Sequence, residues 1–545
     1  MKSRAVAWLL LIALFAAWFG TLGQRALVRP DEGRYAEIPR EMVVSGDWTT
    51  PRLNDIKYFE KPALQYWATA TAYTLFGEDE WTARLWPALT GFLGVLLAWY
   101  TGRRLWGERA GLLAGAILGS SLLYNVMAHV ITLDTGLSFF LQLAWTGFIF
   151  AQQPNAQDGR RWMLIAWAAL GLAMLSKGLV ALVLTGGTLV TYSLLNRDLS
   201  PWKRLAPISG LALFLAISAP WFVAVSLANP EFPHFFFIHE HFERFLTKSH
   251  HRYQPNWYFL MIYAIGAVPW VFMLIHALAK SWRREGDTAF QPQRFLFVWV
   301  VLTFTFFSVS SSKLPPYILP IFPALALLGG RHLAELSRRA LSLHLLAMLP
   351  VAIAGLIGIR QLAGYHDNDY SVEMIAGLTD WLTAMTLLWA AGLLGALALV
   401  QKRCNMAALT LLALLSFVAD LGVLRGHDAL APFNSARDLA IKVRPLLTPG
   451  VPVYSVNGYE QTIPFYLKHT MTLVNYQDEM EFGLKQEPQK WIPTVPEFKK
   501  RWAADRDAFA AMSLSNYDSL KAEGLPMVEL ARDKRNVIVR KPLAP

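Results

Sequence analysis

Opposite charges crowd into the stretch RPDEGRYAEIPREM, residues 29–42, directly after the first apolar segment of the chain. Two adjacent acids, Asp31 and Glu32, stand among arginines there. A helix N-cap needs only one acid and leaves the arginines unexplained. A site that handles phosphates and a sugar needs both signs of charge. Asp31 and Glu32 are therefore candidate catalytic acids, and Arg34 and Tyr35 are candidate substrate contacts.

A second mixed stretch, KYFEKPALQYW, begins at Lys57. Lysine and tyrosine are common anchors at the membrane–water interface, and that role accounts for them equally well. A lysine followed by proline at a helix start can also hold a lipid phosphate. Tyr58 and Lys61 are therefore candidate substrate contacts, with Glu60 beside them.

Two further stretches carry isolated charged or polar residues. In AHVITLDTGLSFF, His129 and Asp134 flank a very short loop, where Asp134 is either an N-cap or a second catalytic acid. In SSSKLPPYILP, residues 310–320, a proline pair disrupts regular helix between Lys313 and Tyr317. Lys313 and Tyr317 are candidate substrate contacts, although snorkelling to the interface is the simpler explanation for either one alone.

Histidines and carboxylates alternate in HEHFERFLTKSHHRY, from His239 to Tyr253. His239 and His241 resemble a metal-ligand pair, but no third ligand follows at a fixed spacing. A polar, aromatic lid explains this composition better, with Arg244 as a candidate phosphate contact.

The composition indicates that membrane helices position these residues. The chain has 545 residues, 54% hydrophobic and 16% charged, whereas soluble domains carry about 25% charged residues. The single cysteine excludes an internal disulfide. The first apolar run is long enough to span a bilayer and lacks a small-x-small cleavage site, so we expect a retained helix. Thirteen spans are predicted, at residues 5–23, 83–102, 110–127, 132–151, 162–176, 178–195, 205–227, 256–279, 295–311, 317–335, 341–359, 379–401 and 405–423.

The basic residues orient these spans. If the N-terminus is cytoplasmic, the even-numbered loops are cytoplasmic too, and they hold most of the short-loop cations, among them Arg103, Arg104, Arg160, Arg161, Arg338 and Arg339. This positive-inside pattern accounts for much of the net charge of +11 without nucleic acid. The C-terminus and all the candidate residues then lie on the outer face. Acids mixed with cations there suit a substrate with an anionic headgroup and an apolar tail.

Two long segments complete the predicted architecture. The first loop, residues 24–82, should contain two helices at the membrane surface, over 35–44 and 64–76. From residue 430 onward, strand-like apolar runs alternate with helical segments. We therefore predict a transmembrane catalytic domain over 1–429 and a soluble α/β domain, the C-terminal domain, over 430–545.

The stretch PDEGRYAEIPREMVVSGDWTTPRLNDIKYFEKPALQYW closely resembles the first loop of the polyprenyl-phosphate-sugar transferases of the GT-C type. Within them the chain is most similar to the bacterial lipid A aminoarabinose transferases, which are related to the protein O-mannosyltransferases. The short loop at Asp134, SKG at 176–178 and SKLPPYILP fit the same pattern. The resemblance covers roughly the whole chain and implies a polytopic α-helical GT-C membrane fold with about 13 transmembrane helices and a C-terminal soluble α/β domain.

The same resemblance implies an activity. The donor would be undecaprenyl phosphate carrying 4-amino-4-deoxy-L-arabinose, and the acceptor a phosphate of lipid A at the periplasmic side of the bacterial inner membrane. The product would confer resistance to polymyxin and other cationic peptides. Asp31 and Asp134 match the family's important acids, and Lys61, Arg244 and Tyr317 would hold the donor phosphate. Glu60 with His241 would be the place for a divalent metal ion, although the family has no strict metal requirement and no cofactor is expected to be needed.

Two alternatives stay open from the sequence. The first keeps the donor lipid but changes the sugar, or transfers it to a protein. The second is a lipid transporter, although transporters favour charges at the bilayer midplane and repeated halves, whereas these charges gather at one face. The role of Asp31 is open as well, because a phosphate acceptor is already largely anionic at neutral pH. Asp31 then acts as a base, orients the acceptor, binds the sugar's ammonium group or stabilises positive charge at the anomeric carbon.

Overall fold

The computed structural model describes residues 12–154, 158–243, 254–284, 286, 288–365 and 369–542. Long apolar helices make up most of the chain before the C-terminal domain. These helices run over 12–20, Leu85–Trp106, Glu108–Gly119, Leu122–Ala128, Asp134–Ala151, Gly159–Lys177, Val180–Asn196, Pro207–Ala228, Tyr258–Gly266, Val271–Lys280, Pro292–Val309, Phe322–Ala334, Arg338–Ala363, Val372–Gln401 and Asn405–His427. A π-helix, His234–Glu243, and two 3₁₀ helices, Ser200–Arg204 and Pro315–Ile321, connect some of them.

The described part of every predicted span falls on one of these helices or on a bent pair of them. Within the described ranges, seven helices are long and apolar enough to cross a membrane, or nine if each of two bent pairs is one span. The pairs bend by 66° after Gly119 and by 112° after Gly266, and Pro269 interrupts the second pair. The predicted polytopic helical architecture is confirmed, whereas the number thirteen stays a prediction.

The first-loop helix, Asp31–Ser45, is buried along most of its length. The apolar side formed by Ile38 and Met42 predicts a helix resting on the membrane surface, yet every residue from Glu32 to Met42 is buried. The polar side is covered by the C-terminal domain, so closely that a Cβ atom on Gly33 would lie 2.7 Å from the backbone of Gln461. The helix lies where the sequence predicts one, and its place at the membrane surface stays a prediction, while the C-terminal domain covering its polar side is a feature that amphipathicity alone does not reveal.

A five-stranded mixed sheet organises the C-terminal domain. Its strands are β3 Val453–Val456, β4 Thr472–Val474, β5 Phe509–Ser513, β6 Val528–Arg532 and β7 Asn536–Arg540, and they follow a first-loop hairpin of β1 Arg52–Leu53 and β2 Ile56–Lys57. The order is β4-β3-β5-β7-β6, with β3 parallel to β4 and β5 and the remaining pairs antiparallel. Strand β6 escapes sequence-based prediction because it is a largely exposed edge strand.

Helices accompany the sheet of the C-terminal domain. They cover Ala431–Asn434, Arg437–Val443, Thr462–Leu467, Glu481–Gln486, Val495–Ala504 and Leu514–Ala522, and the first loop contributes Leu64–Phe76 and Glu80–Ala83 besides its first helix. One apolar core joins the two regions, with Ile38 and Met42 packed in the same cluster as Leu473 and Ile538. Apolar burial therefore stabilises the first loop and the C-terminal domain together. The domain boundary after residue 429 stays a prediction.

Candidate active site

A cavity of about 360 Å³ lies between the first loop and the ends of several membrane helices. Its charged lining brings together residues that are far apart in sequence: Asp31, Arg34, Lys61, Asp134, Lys177 and Glu240. Apolar residues line it as well, among them Leu137, Leu179, Val180, Val183, Phe306 and Phe307. A concave site with both kinds of lining suits an amphiphile whose head is charged and whose tail is a hydrocarbon.

Asp31 is the first residue of the first-loop helix, and 43% of its side chain is exposed. Arg34 lies one turn later, with Nη2 3.5 Å from Asp31 Oδ1. The same guanidinium donates to the Tyr58 hydroxyl at 2.6 Å and contacts Glu479 Oε2 at 2.7 Å. Tyr58 does not line the cavity, so its predicted role as a substrate contact is corrected: it holds Arg34 from behind, while Tyr35 does line the cavity.

Lys61 stands in a row of alternating charges along the cavity wall. Its ammonium lies 3.3 Å from Glu240 and 3.8 Å from Glu60, and Glu60 lies 4.0 Å from Arg34. An ammonium group has three N–H donors and binds a phosphate as a compact point charge. The geometry thus supports Lys61 as a residue that could meet an anionic headgroup.

Asp134 and Lys177 form a close ion pair in the same cavity. The Lys177 ammonium lies 2.5 Å from Asp134 Oδ1 and 4.6 Å from the centre of the Tyr317 ring, an arrangement that supports a cation–π contact. Asp134 and Tyr317 are candidates from the sequence, whereas Lys177 is not. A signal for it exists, because Lys177 is one of the few basic residues in the short odd-numbered loops and belongs to the SKG motif.

Glu32, unlike its neighbour Asp31, points away from the cavity. Its carboxylate is 1% exposed and binds Arg25 at 3.1 Å and Arg84 at 2.8 Å, and it also accepts the backbone N–H of Ile131. Burial opposes ionisation, but the two guanidinium groups outweigh it and hold the pKa of this carboxyl well below its usual range. The predicted catalytic role of Glu32 is therefore corrected to a structural one: it ties the first loop to the loop that precedes Asp134.

A Glu32→Gln variant should lower the free energy of unfolding by about 3–5 kcal/mol, because it leaves two buried arginines without their counter-ion. Since the folded-state pKa of Glu32 lies below that of the unfolded chain, its contribution is present above about pH 4.3 and is lost as the pH falls further. Thermal unfolding in detergent at several pH values measures both effects.

The matched control for this prediction is Glu108→Gln, which removes an exposed carboxylate 2.7 Å from Arg103. An exposed pair contributes only about 0–1 kcal/mol. Equal stability losses in the two variants would contradict the structural role of Glu32.

The candidate Lys313, and the His129 that flanks the short loop before Asp134, are not in the cavity lining. The Lys313 ammonium is buried and donates to the backbone carbonyls of Ser310 and Gln254, at 2.6 and 2.9 Å. Lys313 is therefore corrected from a substrate contact to a residue that holds the loop before Tyr317. His129 is buried as well, with its ring nitrogens hydrogen-bonded to backbone oxygens of Asn125 and Trp18.

Glu60, one member of the predicted metal pair with His241, lines the cavity beside the cations Lys61 and Arg34, and the pair stays a prediction. The side chain of His241 and the whole of Arg244 lie outside the described residues. Across the part of the chain that the structure describes, no group of three or more His, Cys, Asp or Glu side chains is arranged to hold a metal ion.

Two family models match the chain. The model for the aminoarabinose transferase C-terminal domain matches residues 439–541. The model for dolichyl-phosphate-mannose-protein mannosyltransferase matches residues 5–236, which include the first loop and Asp134. The matches thus cover both the first half of the helical region and the C-terminal domain.

Alignments with individual relatives cover nearly the whole chain. An undecaprenyl phosphate-alpha-4-amino-4-deoxy-L-arabinose arabinosyl transferase of Erwinia tasmaniensis is 32% identical over 544 residues, 95% of either protein. A crystal structure of ArnT from Cupriavidus metallidurans bound to undecaprenyl phosphate has a TM-score of 0.93 and 38% identity, covering 99% of this chain and 100% of that one. An apo oligosaccharyltransferase of Archaeoglobus fulgidus, with a TM-score of 0.52 and 12% identity, covers 92% of this chain and 69% of its own, and shares the fold alone.

Proposed function

The chain belongs to the aminoarabinose transferase family, a family of multi-pass membrane glycosyltransferases, and from that premise we propose that it moves 4-amino-4-deoxy-L-arabinose from undecaprenyl phosphate to a phosphate of lipid A. The donor is supported by the names of the relatives and by the ArnT structure that holds undecaprenyl phosphate. The acceptor rests on the family alone.

One observation carries this proposal: the cavity is lined by both charged and apolar residues. Lys61, Lys177 and Tyr317 are available to bind a phosphate, and Val180 and Phe306 are available to contact an isoprenoid chain. Asp31 is exposed in the same cavity and can face the sugar between two phosphates. A site for a water-soluble nucleotide sugar would have little use for the apolar lining.

The proposed reaction is a single in-line displacement with inversion. An oxygen of the acceptor phosphate forms a bond to the anomeric carbon, and the bond from that carbon to undecaprenyl phosphate breaks, with the electron pair leaving on the phosphate. Lys61 and Lys177 stabilise that departing charge. Asp31 needs no proton from an anionic acceptor, so it stabilises the positive charge that develops on the sugar or holds its ammonium group.

We also propose that the cavity faces the periplasm from the bacterial inner membrane. The excess of basic residues in the even-numbered loops supports this orientation, because such loops stay in the cytoplasm. Each transferred sugar adds an ammonium group to lipid A and lowers its net negative charge. A less negative membrane attracts cationic peptides such as polymyxin less strongly.

Transfer by the purified protein in detergent tests the proposed function. Undecaprenyl phosphate carrying aminoarabinose and purified lipid A are supplied, and mass spectrometry should find lipid A with one added aminoarabinose. A parallel reaction with a protein acceptor, and another with a different polyprenyl-phosphate sugar, test the related transferases. Turnover in sealed vesicles without any turnover in detergent would contradict an enzyme and favour a transporter.

A further inference from the structure

The Arg34 guanidinium stands between acids from two distant parts of the chain. Asp31, on the same helix, lies 3.5 Å away, whereas Glu479, in the C-terminal domain, lies 2.7 Å away. Only 3% of the Arg34 side chain is exposed, and its other terminal nitrogen donates to the Tyr58 hydroxyl at 2.6 Å. Arg34 lines the cavity, and the carboxylate closest to it, that of Glu479, therefore belongs to the C-terminal domain.

Glu479 is itself held in place within the C-terminal domain. It lies in the short 3₁₀ turn Asp478–Met480, and its Oε1 accepts a hydrogen bond from Gln461 Nε2 at 2.7 Å. Its side chain is 14% exposed. Burial raises the pKa of this carboxyl, and Arg34 works against that rise. The carboxylate and the guanidinium thus form a preorganised pair at the back of the cavity wall.

The segment that carries Glu479 is packed tightly against the first loop and the π-helix. The ring of Phe482 stacks on Phe235 with centroids 3.9 Å apart, and Gly483 leaves no room for a Cβ atom beside the carbonyl of Lys57. Glu487 closes the segment with an ion pair to Arg52 at 3.0 Å. These contacts hold the turn Asp478–Met480 in a fixed position beside the cavity.

The distances show which of the two acids pairs more strongly with the Arg34 guanidinium. Glu479 Oε2 lies 2.7 Å from the guanidinium and Asp31 Oδ1 lies 3.5 Å from it, and the Coulomb attraction is stronger at the shorter distance. While Glu479 engages the guanidinium, the Asp31 carboxylate remains exposed to the cavity. Without the Glu479 charge, Asp31 becomes the nearest acid, and a closer Asp31–Arg34 pair would turn the carboxylate away from a substrate.

We propose that Glu479 is a positioning residue for the transfer reaction, and that the C-terminal domain in this way completes the active site. Glu479 holds Arg34 back so that Asp31 stays available to the sugar. This inference rests on the proposed function of the cavity. It assigns to the C-terminal domain a part in the chemical step, in addition to the apolar core that it shares with the first loop.

The test compares Glu479→Gln with the wild-type protein in the detergent assay. Glutamine keeps the shape and removes the charge, so we expect kcat to fall by about a hundredfold, as for a small misplacement of a catalytic group. The KM for the donor should change by less than about threefold, because the donor's own contacts remain. Glu481→Gln is the matched control: Glu481 is exposed, pairs with Lys485 and does not line the cavity, so wild-type kinetics are expected.

A second variant covers the case in which Glu479→Gln fails to fold. Gln461→Met removes the hydrogen bond that aims Glu479 but keeps the Glu479 charge, and we expect kcat to fall by about tenfold. Wild-type kcat in a folded Glu479→Gln variant, or in Gln461→Met, would overturn the inference. So would a rise in donor KM that accounts for the whole loss in kcat/KM. If the wild-type protein transfers no aminoarabinose at all, the proposed function fails instead, and the two failures are thereby distinguished.

Discussion

An Asp31→Asn variant is expected to lose transfer activity by about 10²–10⁴-fold in kcat, with its fold intact. Asp31 lines the cavity, its side chain is 43% exposed, and its paired cation Arg34 is already held by Glu479. Asparagine has the same shape but no charge, so only the electrostatic or proton-accepting role is removed. The measurement is kcat in detergent with saturating donor and lipid A.

The control for Asp31→Asn is Asp438→Asn, the same chemical change at a residue whose side chain is 79% exposed and pairs with Arg437. Thermal unfolding of both variants should match that of the wild-type protein. Normal turnover by a folded Asp31→Asn variant would refute the assignment of Asp31.

A donor analogue distinguishes the roles left open for Asp31. If the carboxylate binds the sugar's ammonium group, a donor with a hydroxyl in place of the amine loses a charge-assisted hydrogen bond, commonly about 1.5–3 kcal/mol. The wild-type protein should then prefer the amino sugar, and Asp31→Asn should lose most of that preference. If Asp31 acts at the anomeric carbon, the variant should slow both donors by the same factor.

A Lys177→Met variant should lower kcat/KM for the donor by about 10²–10³-fold. Two effects add: a cation is lost beside the departing phosphate, and Asp134 is left in the cavity without the ammonium that lies 2.5 Å from it. Because the two side chains form a close pair, the double variant Asp134→Asn/Lys177→Met should lose less than the two single variants combined. Steady-state kinetics of the four proteins complete the cycle.

Lys203→Met provides the comparison for Lys177, because Lys203 is exposed and is absent from the cavity lining. Its kinetics should equal those of the wild-type protein. Additive losses in the double variant would contradict a coupled Asp134–Lys177 pair, and a Lys177→Met variant with unchanged kcat/KM would remove Lys177 from the proposed mechanism.

The sequence by itself determined the architecture and one side of the site. All but one of the predicted apolar spans have 17 or more residues, and a helix satisfies the backbone hydrogen bonds of such a span within a bilayer. The strand-like runs around Tyr454, Leu473, Ala510 and Ile538 alternate with helical segments, as is typical of an α/β domain. Basic residues in alternate loops predicted that Asp31, Lys61, Asp134 and Tyr317 share one face, and the structure brings these four to a single cavity. The first-loop motif predicted the family.

Only the tertiary structure decided what each charge does. Asp31 and Glu32 are adjacent and chemically alike, yet one lines the cavity and the other is sealed between Arg25 and Arg84. The proposed roles of Lys177 and Glu479 depend on partners 43 and 445 residues away, at Asp134 and Arg34. Coulomb energy depends on the distance between charges, and the desolvation cost depends on burial. Neither distance nor burial can be read from the neighbouring residues in the sequence. A pattern can therefore place charges on a face, but pairing across the fold selects which of them stay available for chemistry.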